Sequence, residues 1–501
     1  TIYHFIQNKN LKKMLTANRI TSFSSYTKYI SDIINLIGPG VIVSVAQIDN
    51  GNIATSTTSG ALFKYNPLFI VILSNIFALI FQILSCKLGV VTGKDLCKLC
   101  KEKINPKLSK VIFVLVELSI VSGDLSQLIG SAVAMNILFK IPTNIGLALT
   151  VVDCFLVLIF YNNNSLKGVR IFEILVTLLV GATMLLFGIE LKQIHIGDKL
   201  EVLKGTIPHF KDYKNSKFLY SQASIVGSNV MPINLIIGSY VTQARLKNFD
   251  VVKYGRCILN KPSLYAVKAT LSGSIIELAI ALLIAGIFVN GAIVVISGTL
   301  FYNNPNAVDA DLKGIYLMLC QLVSKFAGKI FAVAILFAGQ SASWVGVAAS
   351  EIVLLGFMDL TVDPWVSKII TRLVALIPCL IIGIFFGDKG INAVLNFSQV
   401  LLALILPFVV IPLIMFTNDK EIMNVDKLHE LEIEQGQEQD TNDENERLLG
   451  PSSNQEGSKD DEINDEGKIY FNNGNFLKWS SWSICFLITG LNIVMLGSML
   501  L

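Results

Sequence analysis

Asp49, Asn50, Gly51 and Asn52 interrupt an otherwise apolar segment. They lie in the stretch VAQIDNGNIATSTTSG, and the apolar segment around them begins near Ile33. In hydrocarbon, non-helical backbone is tolerated only where it lines a polar cavity, and an ionisable residue there is by default functional. A simple loop between two helices is disfavoured, because the part before Asp49 is too short to span comfortably and no basic or turn-rich flank follows. The pattern predicts a membrane helix broken at Asn50 and Gly51, with oxygen ligands for a cation.

A second interruption, VGSNVMPINLIIGS, begins at Val226. Pro232 removes a helical hydrogen bond and clashes with the preceding turn, although a lone proline can also merely kink a membrane helix. The two interruptions fall in the first and the sixth of the membrane spans predicted below. Paired breaks at corresponding positions of two five-helix halves are typical of inverted-repeat transporters, which bind their substrate at the midplane.

The side chains at the two breaks indicate a class of ligand. Asp49 offers a hard anionic oxygen, Asn52 a neutral carbonyl oxygen, and Met231 a soft thioether. Oxygen and thioether donors together favour first-row transition metals over Mg²⁺ and Ca²⁺. The composition of the breaks therefore predicts a divalent-metal site, while core packing is an equally good explanation of Met231 taken singly.

The bulk composition places these residues in a membrane protein. Of 501 residues, 53% are hydrophobic and only 15% are charged, against about 25% charged in soluble domains. The net charge of +3 gives no sign of a nucleic-acid partner. The single C-x-x-C, Cys97 and Cys100, has no second pair near it to complete a metal site. The four histidines lie outside the predicted spans and no catalytic constellation is present, so an enzyme is not expected.

Apolar runs long enough to cross a bilayer recur along the chain and position the two breaks. The predicted spans cover residues 33–62, 67–91, 108–138, 145–161, 170–190, 219–240, 266–298, 327–357, 366–386, 391–416 and 476–501. Basic residues concentrate in the N-terminal arm and in the connections after the second and sixth spans, which places all three in the cytosol. Six lysines in residues 191–218 argue against this orientation, but three clusters outweigh one. The C-terminus is then expected outside.

These spans divide the chain into six regions. They are a cytosolic N-terminal arm (1–32), a first repeat with helices 1–5 (33–190), an extracytosolic loop (191–218), a second repeat with helices 6–10 (219–416), an acidic loop (417–475) and helix 11 (476–501). The acidic loop is almost free of large apolar side chains. It cannot bury enough surface to offset its ordering entropy, which predicts a disordered cytosolic segment.

Several motifs resemble the NRAMP family of proton-coupled divalent-metal transporters, most of all its fungal Smf-type manganese and iron transporters. They are GPGVIVSVAQIDNGNIAT, CKLGVVTGKDL, VMPIN, FAGQSAS and GINAVLNFSQVLLALILP, in the expected order. The resemblance covers residues 33–416 and the last span. It implies an all-α, LeuT-type fold of two inverted five-helix repeats followed by an eleventh transmembrane helix.

The resemblance also implies metal ligands at matching positions. Asp49 and Asn52 match two ligands of the family's first motif, and Met231 matches its thioether ligand. Ser228 matches the position whose backbone carbonyl binds metal. Gln399 matches a glutamine that joins the coordination in occluded states. For the proton pathway, the resemblance implies Asp49 again, together with Asp124 in the third span and Arg372 in the ninth.

The sequence departs from the family pattern at four positions. Asn50 replaces a proline, so the break persists through Gly51 but is less rigidly imposed. Ile233 replaces a histidine, which removes a group that changes charge near neutral pH. Gln127 replaces a glutamate, and Glu351 replaces a glutamine. The metal ligands are retained, while two proton-handling groups are absent.

The expected function is secondary transport of Mn²⁺ or Fe²⁺ into the cytosol, proton-linked but with altered coupling. The ion is cargo, and no resident cofactor is expected. One alternative is a non-transporting metal sensor or degenerate transporter-like protein, which the altered motifs favour somewhat. Another is an uncoupled metal uniporter. A sodium or amino-acid symporter is disfavoured, because Asp49 would repel an amino-acid carboxylate and Met231 is a poor sodium ligand.

The acidic loop contains ENERLL, which has the form of an acidic dileucine sorting signal. Its key residues are Glu444, Leu448 and Leu449. Cytosolic sorting adaptors read such signals in disordered segments, although so loose a pattern also arises by chance. Together with the fungal resemblance, the signal favours a vacuolar or endosomal membrane over the plasma membrane.

Overall fold

The computed structural model describes residues 39–150, 166–209, 212–254, 262–302, 312–359, 364–426 and 468–500. In these ranges nine helices are long and apolar enough to cross a membrane, and the only sheet is a short antiparallel pair of strands. The prediction of an all-α, multi-pass integral membrane protein is confirmed. The N-terminal arm, the start of the first span and the predicted sorting signal lie outside the described residues.

The first half of the chain begins with a broken helix. Its elements are α1 (Pro39–Val45), a 3₁₀ turn (Ala46–Ile48), α2 (Asn50–Phe63), α3 (Leu68–Thr92), α4 (Leu96–Lys103), α5 (Pro106–Phe139), α6 (143–150 in its described part) and α7 (Leu166–Gln193). Local sequence signals set several of these ends. Gly93 ends α3 in a left-handed conformation (φ 64°), and Asp95 caps α4 by accepting a hydrogen bond from the Lys98 amide at 2.9 Å.

The second half repeats the pattern. It comprises α8 (Lys199–Lys204), α9 (Ser216–Val230), α10 (Pro232–Tyr254), α11 (Leu264–Leu300, with a π-helical turn at Leu283–Ile287), α12 (Leu312–Leu322), α13 (Lys325–Met358), α14 (Ile369–Gly387), α15 (Gly390–Asn418), β1 (Asn424–Asp426), β2 (Lys468–Tyr470) and α16 (Asn475–Leu500). A kink at Gly387 (φ 63°, ψ −156°) separates α14 from α15, a conformation that suits glycine.

The two broken helices lie at the centre of the helical bundle. In the most apolar part of α9–α10, 89% of residues are buried, against 28% in α16. Helix α2 packs along α11, α9 packs along α15, and α5 packs against α13 and against the continuous α14–α15 segment. The breaks are therefore shielded from lipid by other helices, as non-helical backbone in a membrane requires.

Two predicted boundaries are corrected by the structure. The sixth span, predicted over 219–240, extends from Ser216 to Tyr254, because Thr242 and Gln243 bond to carbonyls of the preceding turn and do not end the helix. The disorder predicted over 417–475 is wrong at both ends of that segment. There β1 pairs with β2 in an antiparallel ladder that buries Val425 and Ile469.

Candidate metal-binding site

The first break is centred on Asp49. Its backbone is extended (φ −91°, ψ 166°) between the 3₁₀ turn and α2. Its side chain caps α2 by accepting a hydrogen bond from the Asn52 amide at 2.8 Å and also accepts one from the Ser126 hydroxyl of α5 at 3.2 Å. The predicted break residues Asn50 and Gly51 instead form the first turn of α2. Aspartate is a favoured N-cap, which accounts for this shift by one residue.

The second break is centred on Met231. Its backbone (φ 3°, ψ 114°) separates α9 from α10. Pro232 is the first residue of α10, where a missing N–H costs nothing because the first helical amides have no intrahelical partner. The proline therefore starts a helix here, and the prediction that it interrupts one is corrected by a single residue.

The two breaks meet face to face. The Asn52 side-chain amide donates a hydrogen bond to the Ser228 carbonyl oxygen at 3.1 Å, across 176 residues of sequence. Asp49 and Met231 line one cavity of about 30 Å³ between α1, α5, α10 and α13, more than the roughly 10–15 Å³ that one water needs. The geometry places the Asp49 carboxylate and the Met231 thioether at one small buried cavity, and the Asn52 amide bonds the Ser228 carbonyl between the two breaks.

Gln399 of α15 lies against both breaks because two glycines leave room for it. A Cβ at Gly51 would overlap its side-chain amide, and a Cβ at Gly227 would overlap its backbone carbonyl. All five predicted ligands are thus buried in one region of the structure. Of these five, only Asp49 and Met231 line the 30 Å³ cavity itself. Their roles as ligands stay predictions.

The departure at Asn50 is accommodated by small residues on neighbouring helices. A Cβ at Gly130 of α5 or at Gly339 of α13 would overlap the Asn50 side-chain amide. The break is therefore retained without the family's proline, because Asp49 caps α2 and the two glycines leave space for Asn50.

The predicted proton-pathway residues other than Asp49 lie on α5 and α14. Asp124 of α5 lines the same cavity as Asp49. Arg372 of α14 is buried and donates a hydrogen bond to the Ser343 hydroxyl of α13. Sequence reasoning missed Glu117, which lies seven residues before Asp124 on the same face of α5 and interacts with it electrostatically. The spacing of seven residues was the signal that could have found it.

Sequence reasoning also missed a chain of buried amides behind the first break. The Asn290 side chain of α11 donates to the Asn229 side chain at 2.8 Å and to the Gln47 backbone carbonyl at 3.2 Å. Asn229 in turn donates to the Ser74 hydroxyl of α3 at 2.7 Å. These bonds tie the turn before Asp49 to α9, α11 and α3, so they help to fix the position of the break.

The C-x-x-C cysteines lie away from this site, in the short connecting helix α4. Both Cys97 and Cys100 are buried, and burial raises the pKa of each thiol, which disfavours the reactive thiolate. No group of three metal-ligating His, Cys, Asp or Glu side chains occurs in the described part of the chain. Cys97 and Cys100 are therefore packing residues in the interior of the protein.

Comparison with known proteins identifies the family. Residues 40–432 match the family described as natural resistance-associated macrophage protein-like. This chain belongs to the Nramp family. It is 43% identical to the iron transporter SMF3 of Saccharomyces cerevisiae over 80% of this chain and 85% of that protein. It is 40% identical to the manganese transporter pdt1 of Schizosaccharomyces pombe, over 81% and 80% of the two chains.

A solved structure shares the fold of this Nramp-family chain. The crystal structure of the Eremococcus coleocola manganese transporter superposes with a TM-score of 0.71, covering 96% of this chain and 89% of that one at 24% identity. The predicted LeuT-type arrangement of inverted repeats with an additional helix is confirmed.

Proposed function

We propose that this chain is a secondary transporter that moves divalent transition-metal ions, Mn²⁺ or Fe²⁺, across a membrane into the cytosol. The observation that supports this most directly is the meeting of the two breaks, where the Asn52 amide bonds the Ser228 carbonyl and Asp49 faces Met231 across one cavity. Oxygen donors with one thioether suit these ions better than Mg²⁺ or Ca²⁺. The relatives named above as iron and manganese transporters support the same substrates and support a transporter over an enzyme.

The two breaks are proposed to act as hinges. The cavity extends from Asp49 past Val45 of α1 and Ile237 of α10, along the half-helices that the predicted orientation directs toward the cytosol. Movement of these half-helices would widen this cavity and release the ion inward, while movement of α2 and α9 would open the opposite side. Rocking of one bundle against the other around a fixed site is the general mechanism of such folds.

Coupling to protons is proposed to be weaker than the family pattern implies. Gln127 and Ile233 both line the cavity beside Asp49, and neither can carry a proton. Asp49 and Asp124 are the two carboxylic acids among the residues lining that cavity. An uncoupled metal uniporter is the second candidate function, and the same two substitutions favour it.

Metal uptake into proteoliposomes tests the proposed function. The parent should accumulate Mn²⁺ or Fe²⁺, and Asp49→Ala should abolish uptake because it removes the only charged ligand. Asp95→Ala is the matched control. Asp95 is also a buried aspartate that caps a helix, and its loss should cost about 1 kcal/mol of stability but leave uptake intact. A parent without uptake under any pH gradient would support the metal-sensor alternative.

The membrane in which the protein resides is proposed to be vacuolar or endosomal, with export of stored metal to the cytosol. This proposal rests on the ENERLL motif, since Leu448 and Leu449 are the only adjacent pair of large apolar residues between Asn442 and Lys468. Replacing both leucines by alanine should send a fluorescently tagged protein to the cell surface. An unchanged vacuolar pattern would exclude the motif as the signal, and a parent already at the plasma membrane would contradict the location.

A further inference from the structure

Glu190 is a buried carboxyl group that the proposed metal site does not use. It lies near the end of α7 and is only 1% exposed. Neither of its carboxyl oxygens has a hydrogen-bond partner in the described part of the chain. Buried carboxylates are normally paired or hydrogen-bonded, since an unpartnered charge in an apolar interior is costly. Burial without a partner therefore favours the uncharged, protonated form of the Glu190 carboxyl group.

The space around Glu190 is too small and too apolar for a metal ion. Glu190 borders a cavity of about 10 Å³, at or below the roughly 10–15 Å³ that one water needs. The other polar residues at its wall are Thr57 of α2 and Ser297 of α11. Both hydroxyls already donate to carbonyls of their own helices. A metal ion needs several oxygen ligands or waters, whereas a proton needs one carboxyl oxygen.

No charged side chain faces Glu190 within the described residues. The rest of the cavity wall consists of phenylalanine, isoleucine and leucine side chains of α7, α11, α12 and α13. Several lysines lie near the ends of α2, α7, α12 and α13 that surround Glu190, but none of them lines the cavity. They are Lys64, Lys192, Lys313, Lys325 and Lys329. Lys64 pairs instead with Glu201 at 2.5 Å.

The position of Glu190 connects it to the first broken helix. Thr57 lies in α2, eight residues after Asp49, or about 12 Å along the helix axis. At this level α2 and α11 are in close contact, because a Cβ at Gly60 would overlap the Ser297 hydroxyl. Glu190 of α7 borders the same cavity as Thr57 of α2 and Ser297 of α11. The carboxyl group is enclosed by α2, α11, α12 and α13, and separation of α7 from α2 and α11 would admit water to it.

We propose that Glu190 is a proton-binding site on the extracytosolic side, and that its proton regulates the movement of α2. With the proton bound, the neutral acid packs α7 against α2 and α11. Release of the proton to extracytosolic water leaves a carboxylate that must be hydrated, which opens this contact and frees α2. The proton returns to the same side, so the site regulates the transport cycle and adds no proton to the transported charge.

Infrared spectroscopy tests the protonation of Glu190 without depending on transport. In the purified full-length protein at neutral pH, the parent should show the absorption of a protonated carboxyl group that is lost in Glu190→Gln. Asp198→Asn, at an exposed helix cap, should leave this absorption unchanged. Identical spectra of the parent and Glu190→Gln would overturn the proposal. If Glu190→Gln is not recovered folded, Glu190→Leu should be at least as thermally stable as the parent, and a large loss of stability would also overturn it.

A second experiment tests the regulation, and it rests on the proposed function. Mn²⁺ uptake into vesicles is measured while the pH is varied separately on each side. The parent and Asp198→Asn should respond to extracytosolic pH, and Glu190→Gln should retain uptake but lose that response. An unchanged pH profile in Glu190→Gln would overturn the regulatory role. Absence of Mn²⁺ uptake in the parent would refute the proposed function and leave the infrared result to decide whether Glu190 binds a proton.

Discussion

Met231 is the single soft donor among the five residues predicted to hold the ion. Met231→Ala should keep Mn²⁺ transport through the oxygen ligands, but its selectivity against Ca²⁺ should fall, because the thioether favours transition metals. We expect a loss on the order of tenfold, equivalent to about 1.4 kcal/mol, in competition of Ca²⁺ with Mn²⁺ uptake. Met318→Ala, in the buried face of α12, is the control. Calcium exclusion equal to that of the parent would show that Met231 serves packing alone.

Ile233 lies in the cavity wall with Asp49 and Met231. Ile233→His would return a group that titrates near neutral pH to that wall, and we expect proton movement to accompany Mn²⁺ uptake more strongly than in the parent. A pH-sensitive dye recorded alongside metal flux measures both quantities. Full coupling already present in the parent would mean that Asp49 and Asp124 carry the proton without the missing histidine.

The half-helix α1 is held at its start by a residue of α11. The Gly40 amide donates a hydrogen bond to a Glu277 carboxylate oxygen at 3.0 Å, and Arg245 of α10 forms an ion pair with the other oxygen. A Cβ at Gly40 would meet the backbone of α11 at 3.0 Å, so α1 approaches α11 closely here. Glu277 thus joins the starting half-helix of one break to the final half-helix of the other.

Glu277→Ala should release the start of α1. A hydrogen bond to a charged group contributes about 1.5–3 kcal/mol, so amide hydrogen exchange in Pro39–Val45 should accelerate on the order of 10- to 100-fold. Exchange in α16, which is remote from Glu277, provides the internal reference. Equal acceleration in both helices would indicate general destabilisation, and no acceleration in α1 would show that Glu277 does not restrain it.

At the scale of the whole molecule, hydrogen bonds hold the two ends of the acidic loop together. Asp426 and Lys468 are opposite each other in the β1–β2 ladder. The Lys87 ammonium of α3 donates to the Asn472 carbonyl at 3.0 Å, and the Asn473 side chain donates to the Thr417 hydroxyl at 2.9 Å. The two ends of the acidic loop are therefore held together at one place on the membrane domain.

Because the pairing of β1 with β2 already holds the two ends together, residues 427–467 should be dispensable for folding and transport. A two-residue Asn-Gly turn, which suits an antiparallel hairpin, can join Asp426 directly to Lys468. We expect this shortened protein to match the parent in melting temperature and in Mn²⁺ uptake into vesicles, while its location in cells changes. Loss of uptake in a folded shortened protein would assign the segment a role in transport.

The membrane class, most of the span positions and the location of both breaks to within one residue follow from local sequence patterns. These features are local, because the length of an apolar run and the polar residues within it act directly on the membrane environment. The chemical type of each donor, such as the Met231 thioether, is likewise a property of one residue. The order at both ends of the acidic loop was not predicted, because pairing between β1 and β2 depends on residues about 40 positions apart.

Which of these residues meet in space depends on how the helices pack. The Ser228 carbonyl faces Asn52 and Gln399 fills the space beside Gly51 because three helices distant in sequence pack at one point. The sequence also does not reveal that Glu190 is buried, because an exposed glutamate at the end of a span would have the same local sequence pattern. Whether a carboxyl group is solvated or enclosed depends on the helices that surround it, and no local pattern records those neighbours.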